Sequence, residues 1–135
     1  MKNETKETNG QARDVLAPMD LDLTRREVPV TLKDKDGSPT EYLLVELDGA
    51  GRDAYLNNLG KRLKPDASGK NPSVRDFTGL QANLLTRCML VADGRTPVTE
   101  KDIQAWPSRV QNALYKRAKE ISALQDDADD KEGED

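Results

Sequence analysis

Three groups of residues have the types that carry chemistry: an acidic turn, a single cysteine and a basic set near the C-terminus. Asp34, Asp36 and Gly37 resemble the start of a calcium-binding loop. Such a loop needs glycine at its sixth position, where this chain has Pro39, so the calcium interpretation fails. A reactive thiol needs an exposed, electropositive setting, whereas Cys88 falls on the apolar face of a predicted helix. We therefore expect Cys88 to be a small core residue.

Composition excludes several classes of protein. The chain has no histidine and one cysteine, which rules out Ser–His catalysis, histidine metal sites, cysteine-rich zinc sites and internal disulfides. We found no glycine-rich phosphate loop and no suitably spaced acidic cluster in its central part. We therefore predict no catalytic, metal or cofactor site and a protein that is not an enzyme. No apolar run approaches the roughly 20 residues that span a bilayer, and the N-terminus lacks a signal-peptide core, so we predict a cytosolic protein.

Charge and apolar content divide the chain into three parts. Residues 1–23 carry a net charge of about −2, residues 24–124 about +4, and residues 125–135 about −6. The first and last parts have few large apolar side chains, so folding would not offset the entropy lost on ordering them. We predict a disordered N-terminal segment (1–23), a single hairpin-plus-helices domain (24–124) and an acidic disordered tail (125–135).

The predicted domain is α+β, an N-terminal β-hairpin packed on a mainly helical body of about four helices. Val28, Val30 and Leu32 alternate with polar residues or proline, which is the period of a half-buried strand. Pro29 cannot donate to a neighbouring strand, so this strand should lie at a sheet edge. Residues 40–47 follow a turn and are apolar on both faces, so the second strand should be covered on both sides.

The four predicted helices have recognisable starts. They cover residues 52–64, 73–92, a short stretch after Thr99, and 108–124. Asp48 is suited to cap the first helix, and Thr99 is suited to cap the short third helix. The sequences that begin at Ser73 and Ser108 resemble capping boxes. The second helix has an apolar face that covers about half of its circumference and includes Phe77 and Cys88, which is typical of a central helix.

The last helix supplies the candidate partner-binding residues. Its apolar face is formed by Val110, Ala113, Leu114, Ala118, Ile121 and Leu124. Arg117 falls in the middle of that face, and a charge is not left unpaired in a core. Arg117 either pairs with a buried carboxylate, extends its stem to water or is covered by a partner. Tyr115 lies off this face and would extend such a contact surface. The candidate residues are Tyr115, Arg117, Ile121 and Leu124. For Trp106, the only tryptophan, we favour a core position over an interface.

Residues 24–124 resemble the tail assembly chaperones of long-tailed bacteriophages. The resemblance is carried by Val28-Pro29-Val30, Tyr42-Leu43-Leu44-Val45, Leu84-Leu85-Thr86-Arg87-Cys88, Asp93-Gly94, Pro97-Val98-Thr99 with Asp102-Ile103, and Trp106-Pro107. The family commonly has a small residue or leucine at the position of Trp106. It often ends its last helix with Asn-Gly, where this chain continues through residues 122–125 into the acidic tail.

The resemblance implies a non-enzymatic chaperone that acts in the cytoplasm of an infected bacterium and is absent from the mature virion. Such proteins coat or solubilise the tape-measure protein and help to recruit tail-tube subunits. The implied partners are the tape-measure protein, the tail-tube protein and, through weak self-association, further copies of the chaperone. Neither nucleic acid nor membrane is an expected partner, and no cofactor is expected.

The alternative is a small phage-encoded nucleic-acid-binding regulator with an autoinhibitory acidic tail. Its binding residues would be the basic residues of the last helix, Arg109, Lys116, Arg117 and Lys119. The positive charge of residues 24–124 is small, and the acidic tail opposes binding to phosphates.

Overall fold

A computed structural model of the protein describes residues 13–65, 69, 72–74 and 76–124. The elements in chain order are β1 (Glu27–Lys33), β2 (Pro39–Val45), α1 (Gly49–Lys61), β3 (Leu63–Lys64), β4 (Ser73–Val74), α2 (Leu80–Cys88), β5 (Met89–Val91), α3 (Glu100–Gln104) and α4 (Ser108–Ile121). The predicted α+β class with four helices is confirmed. Of the two predicted tails, residues 1–12 and 125–135 lie outside the described residues, and residues 13–23 are exposed and belong to no helix or strand.

The main sheet has three antiparallel strands in the order β1-β2-β5. Strand β1 lies at an edge, as the proline at position 29 predicted. Val30 lies opposite Tyr42, and Val28 lies opposite Leu44, so these residues share the face that packs on the helices. Leu44 and its neighbour Val45 are both buried, which confirms that β2 is covered on both faces at this end.

The prediction of one helix over residues 73–92 is wrong at both ends. Ser73–Val74 forms a strand with β3, and Met89–Val91 forms the third strand of the main sheet. The supposed capping box fails because Asp76 instead accepts a hydrogen bond from the backbone N–H of Thr78 at 3.0 Å. Helix α2 starts after Gly79, whose positive φ of 66° suits glycine. Phe77 therefore lies outside the helix and is 67% exposed.

Helix α1, Gly49–Lys61, begins and ends three residues earlier than the predicted helix over residues 52–64. Asp48 caps it as predicted, accepting from the N–H of Gly51 at 2.8 Å. Arg62 follows its last residue and occupies the C-cap position. Its Nε donates to Asn58 Oδ1 at 2.7 Å, and its Nη1 donates to the carbonyl oxygens of Asp76 and Thr78. Arg62 thereby joins the end of α1 to the segment that precedes α2.

The starts of α3 and α4 differ in how far they follow the predicted capping. Thr99 caps α3 as predicted, accepting from the N–H of Asp102 at 3.2 Å. The capping box at Ser108 is wrong, because the N-cap position is occupied by Pro107, whose side chain has no hydrogen-bond acceptor. The side chain of Gln111 instead donates to the carbonyl oxygen of Trp106 at 2.9 Å. Gln111 thus fixes the junction between α3 and α4.

Helix α2 is the centre of the core. It packs against α1, α3 and α4, and Leu84 and Leu85 are completely buried. Cys88 is 1% exposed, which confirms that it is a core residue. Burial raises the pKa of the Cys88 thiol from its ordinary value to about 11, so it is not a nucleophile near neutral pH.

The end of α4 is fastened to the rest of the domain. Ser122 Oγ accepts a hydrogen bond from the N–H of Leu47 at 3.0 Å. The N–H groups of Ala123 and Leu124 donate to the carbonyl oxygens of Glu120 and Lys119, which is the bonding pattern of a Schellman motif. Ala123 occupies the left-handed position of this motif, with a φ of 54°, where glycine is more common.

Candidate functional site

A concave surface lies between the tip of the β-hairpin and the junction of α3 and α4. We call it the hairpin groove, and it has a volume of about 780 Å³. Its lining residues are Thr31, Leu32, Lys33, Asp34, Lys35, Thr40, Tyr42, Trp106, Pro107, Arg109 and Val110. The volume is in the range of about 300–1,000 Å³ that is typical of binding pockets.

Two aromatic side chains form a rigid part of this groove. The rings of Tyr42 and Trp106 meet edge to face, with centroids 5.6 Å apart and planes at 64°. Trp106 is partly buried against the core, so the core position that we predicted accounts for part of its surface, while the remainder lines the groove. Its backbone is held by its own N–H, which donates to Ile103 O at 3.0 Å, and by the bond from Gln111. The backbone that carries the Trp106 ring is therefore held in place by the fold.

The rim of the groove is basic. Lys33, Lys35 and Arg109 contribute positive charge, and within the described ranges none of them forms an ion pair. Asp34 is the acidic lining residue, and its carboxylate already accepts from the backbone N–H groups of Asp36 and Ser38 at 3.2 and 2.9 Å. An apolar, aromatic groove with a basic rim suits a peptide that presents apolar side chains beside carboxylates.

All four predicted partner-binding residues lie outside the lining of the groove, and the first two, Tyr115 and Arg117, contact other side chains. Tyr115 is partly buried, its hydroxyl lies 2.5 Å from the hydroxyl of Tyr55, and Lys119 Nζ lies 4.6 Å from the centre of its ring. Arg117 is exposed and pairs with Glu120 at 3.2 Å. The expectation that Arg117 interrupts the buried face is therefore wrong: the buried face of α4 turns away from it.

The other two candidates contribute to the core. Ile121 is only 5% exposed, and Leu124 is partly buried against the same cluster. A partner would reach Ile121 only if α4 left the domain. The four candidates thus do not form one open surface, because Leu114, Ala118 and Ile121 turn the apolar face of α4 onto the core.

The basic residues proposed for nucleic-acid binding are divided among different contacts. Arg109 lies at the rim of the groove, and Lys116 is exposed. Arg117 pairs with Glu120, and Lys119 lies over the ring of Tyr115. This division gives no support to α4 as a helix that reads a nucleic-acid groove.

Neither a known type of site nor a known relative assigns a function to the groove. Within the described part of the chain, no three His, Cys, Asp or Glu side chains come together as a metal site, and no helix is both long and apolar enough to span a membrane. Comparisons with models of protein families, with curated proteins and with solved structures found no match. The lining residues of the groove and their geometry are therefore the basis for assigning it a function.

Proposed function

We propose that the protein is a non-enzymatic tail assembly chaperone of a long-tailed bacteriophage. It coats or solubilises the tape-measure protein in the cytoplasm of the infected bacterium and helps to recruit tail-tube subunits. The resemblance of residues 24–124 to that family motivates this proposal. The structural observation that supports it is the hairpin groove, an aromatic and apolar surface that the folded chain leaves open.

The groove fits the requirements of a client that is long and helical. Before assembly, such a client exposes apolar side chains that would otherwise drive aggregation, and an amphipathic helix buries them in an apolar groove. Tyr42 and Trp106 offer large apolar area with little loss of side-chain entropy on binding. Lys33 and Arg109 at the rim would pair with carboxylates on the polar side of the client.

The size of the groove also suits a temporary complex. Its volume of about 780 Å³ accommodates a few side chains rather than a whole protein surface. Small contacts of this kind are weak because much of their energy offsets the entropy lost on association. Many weak contacts along a long client keep it soluble, and each one is readily displaced by a tail-tube subunit.

Co-expression with the long helical protein encoded immediately downstream tests this proposal. The groove variant combines Lys33→Glu with Arg109→Glu, both at exposed positions of the rim. The control variant combines Lys61→Glu with Lys101→Glu, which makes the same change in net charge at exposed positions outside the lining of the groove.

We expect the client to be soluble with the original protein and with the control, and to be insoluble with the groove variant. Melting curves of both variants should stay close to that of the original protein, so that any difference reports binding. A client equally soluble in cells without the protein would refute the chaperone function. A client kept soluble by the groove variant would refute the assignment of the groove.

A further inference from the structure

An exposed apolar segment precedes the sheet. Residues 13–23 carry five large apolar side chains that touch little of the domain. Their exposed fractions are 85% for Val15, 84% for Leu16, 80% for Met19, 78% for Leu21 and 98% for Leu23. Scattered apolar residues are normal on a surface, but a contiguous set of this kind marks an interaction site.

Apolar and acidic residues alternate in the second half of the segment. Met19, Leu21 and Leu23 alternate with Asp20 and Asp22. In an extended peptide, alternation puts the three apolar side chains on one side and both carboxylates on the other. The segment therefore combines an apolar edge with negative charge.

This pattern is complementary to the hairpin groove. The groove presents Tyr42 and Trp106 for the apolar side chains, and the rim cations Lys33, Lys35 and Arg109 for the carboxylates. The distance from Met19 to Leu23 along an extended peptide is about 13 Å, and opposite charges steer the two surfaces together.

The segment and the groove lie at opposite ends of the hairpin. The segment is fixed where it joins the domain, because Arg25 donates to Glu46 O and the N–H of Arg26 donates to Glu46 Oε1 at 2.8 Å. This point is next to the base of the hairpin, where Glu27 pairs with Val45. The groove runs from the tip back to Thr31, so its near edge lies about 13 Å from Glu27 along β1, and the tip lies about 20 Å away.

We propose that residues 13–23 of one copy dock in the hairpin groove of a second copy. The donor and acceptor surfaces are different, so the contact is head to tail. A docked pair keeps one free groove, on the donor copy, and one free segment, on the acceptor copy. Such contacts extend into chains or close into rings. Docking needs no client and does not depend on the chaperone function. It also places the segment in competition with any other occupant of the groove.

Two variants and a control test this docking. The segment variant carries Leu21→Asp and Leu23→Asp, and the groove variant carries Lys33→Glu and Arg109→Glu. The control, Leu56→Asp, adds a charge at an apolar residue of α1 that is 46% exposed. Sedimentation velocity over a range of concentrations measures the average mass, and the fluorescence of Trp106, the only tryptophan, reports occupancy of the groove.

We expect the mass of the original protein and of the control to rise with concentration from that of a single 15.0 kDa chain. The Trp106 emission should shift to shorter wavelength over the same range. Each variant should raise the concentration needed for association at least about tenfold. A mixture of the two variants should form one-to-one complexes and nothing larger, because only one intact segment and one intact groove remain per pair.

Three results would overturn the proposal. The first is a single-chain mass at every concentration up to about 1 mM. The second is association that the segment variant does not weaken. The third is a Trp106 emission wavelength that does not change with concentration in the original protein but is longer in the segment variant. This result would show that the segment folds into the groove of its own chain. All three are independent of whether a client is kept soluble.

Discussion

Replacing Ile121 by alanine should strongly destabilise the domain. Ile121 is 5% exposed and belongs to the core cluster, so nearly all of the deleted surface is buried. The change removes three carbons, each worth roughly 0.8 kcal/mol, and leaves a cavity that adds to the loss. We expect the free energy of unfolding to fall by about 3–4 kcal/mol. For a domain of this size, the melting temperature should fall by at least about 12 °C.

Arg117→Ala is the matched control, four residues earlier on the same helix. Its side chain is 55% exposed and pairs with Glu120, which is 52% exposed, so the ion pair is worth less than about 1 kcal/mol. Urea denaturation followed by circular dichroism measures both variants. A loss below about 1 kcal/mol for Ile121→Ala, or a larger loss for Arg117→Ala, would refute the orientation of α4.

Three further changes test particular contacts. Burial raises the pKa of the Cys88 thiol from 9.0 to about 11, so its contribution to stability is complete below pH 9 and is lost as pH rises towards 11. The stability of the original protein relative to Cys88→Ala should therefore fall by about 2–3 kcal/mol over that range, and a difference that stays constant with pH would contradict the burial. Ser122→Ala removes the acceptor of the Leu47 N–H and should lower the free energy of unfolding, measured by urea denaturation, by about 1–2 kcal/mol. An unchanged free energy of unfolding would show that water takes the place of the hydroxyl and that this bond does not fasten α4. Ala123→Gly should stabilise the domain by about 0.5–1 kcal/mol, because φ is 54° there, and a lower melting temperature would argue against the Schellman motif.

Features that depend on neighbouring residues could be predicted from the sequence. Asp48 and Thr99 cap their helices because each accepts from an N–H three residues ahead. Pro29 indicates an edge strand because it lacks a donor. In each of these cases the relevant chemistry lies within a few residues or within a single backbone group.

Features that depend on distant pairing could not be predicted in this way. Met89–Val91 continues the apolar pattern of α2, and only its pairing with β2, over 40 residues away, makes it a strand. The predicted placement of Arg117 in the middle of the buried face of α4 was wrong. Packing on α2 buries the side of the helix that carries Leu114 and Ala118 and leaves Arg117 exposed.

The groove could be predicted only in pieces. The turn that carries Lys33 and Lys35 and the Trp106-Pro107 junction are both visible in the sequence. They meet because the strand register brings Tyr42 beside Trp106, a contact between residues that are 64 positions apart. No local sequence pattern spans that separation. The sequence-based prediction therefore placed the binding residues at the end of α4 and not in the groove.

Amide hydrogen exchange on a complex with a helical fragment of the downstream protein tests the central claim most directly. If the hairpin groove binds the client, exchange should slow in residues 31–35 and 106–111 and remain unchanged in α1, at Gly49–Lys61. The groove variant should show no such slowing at the same fragment concentration. Protection confined to α1, or equal protection in the groove variant, would contradict the claim that this groove is where the protein holds its client.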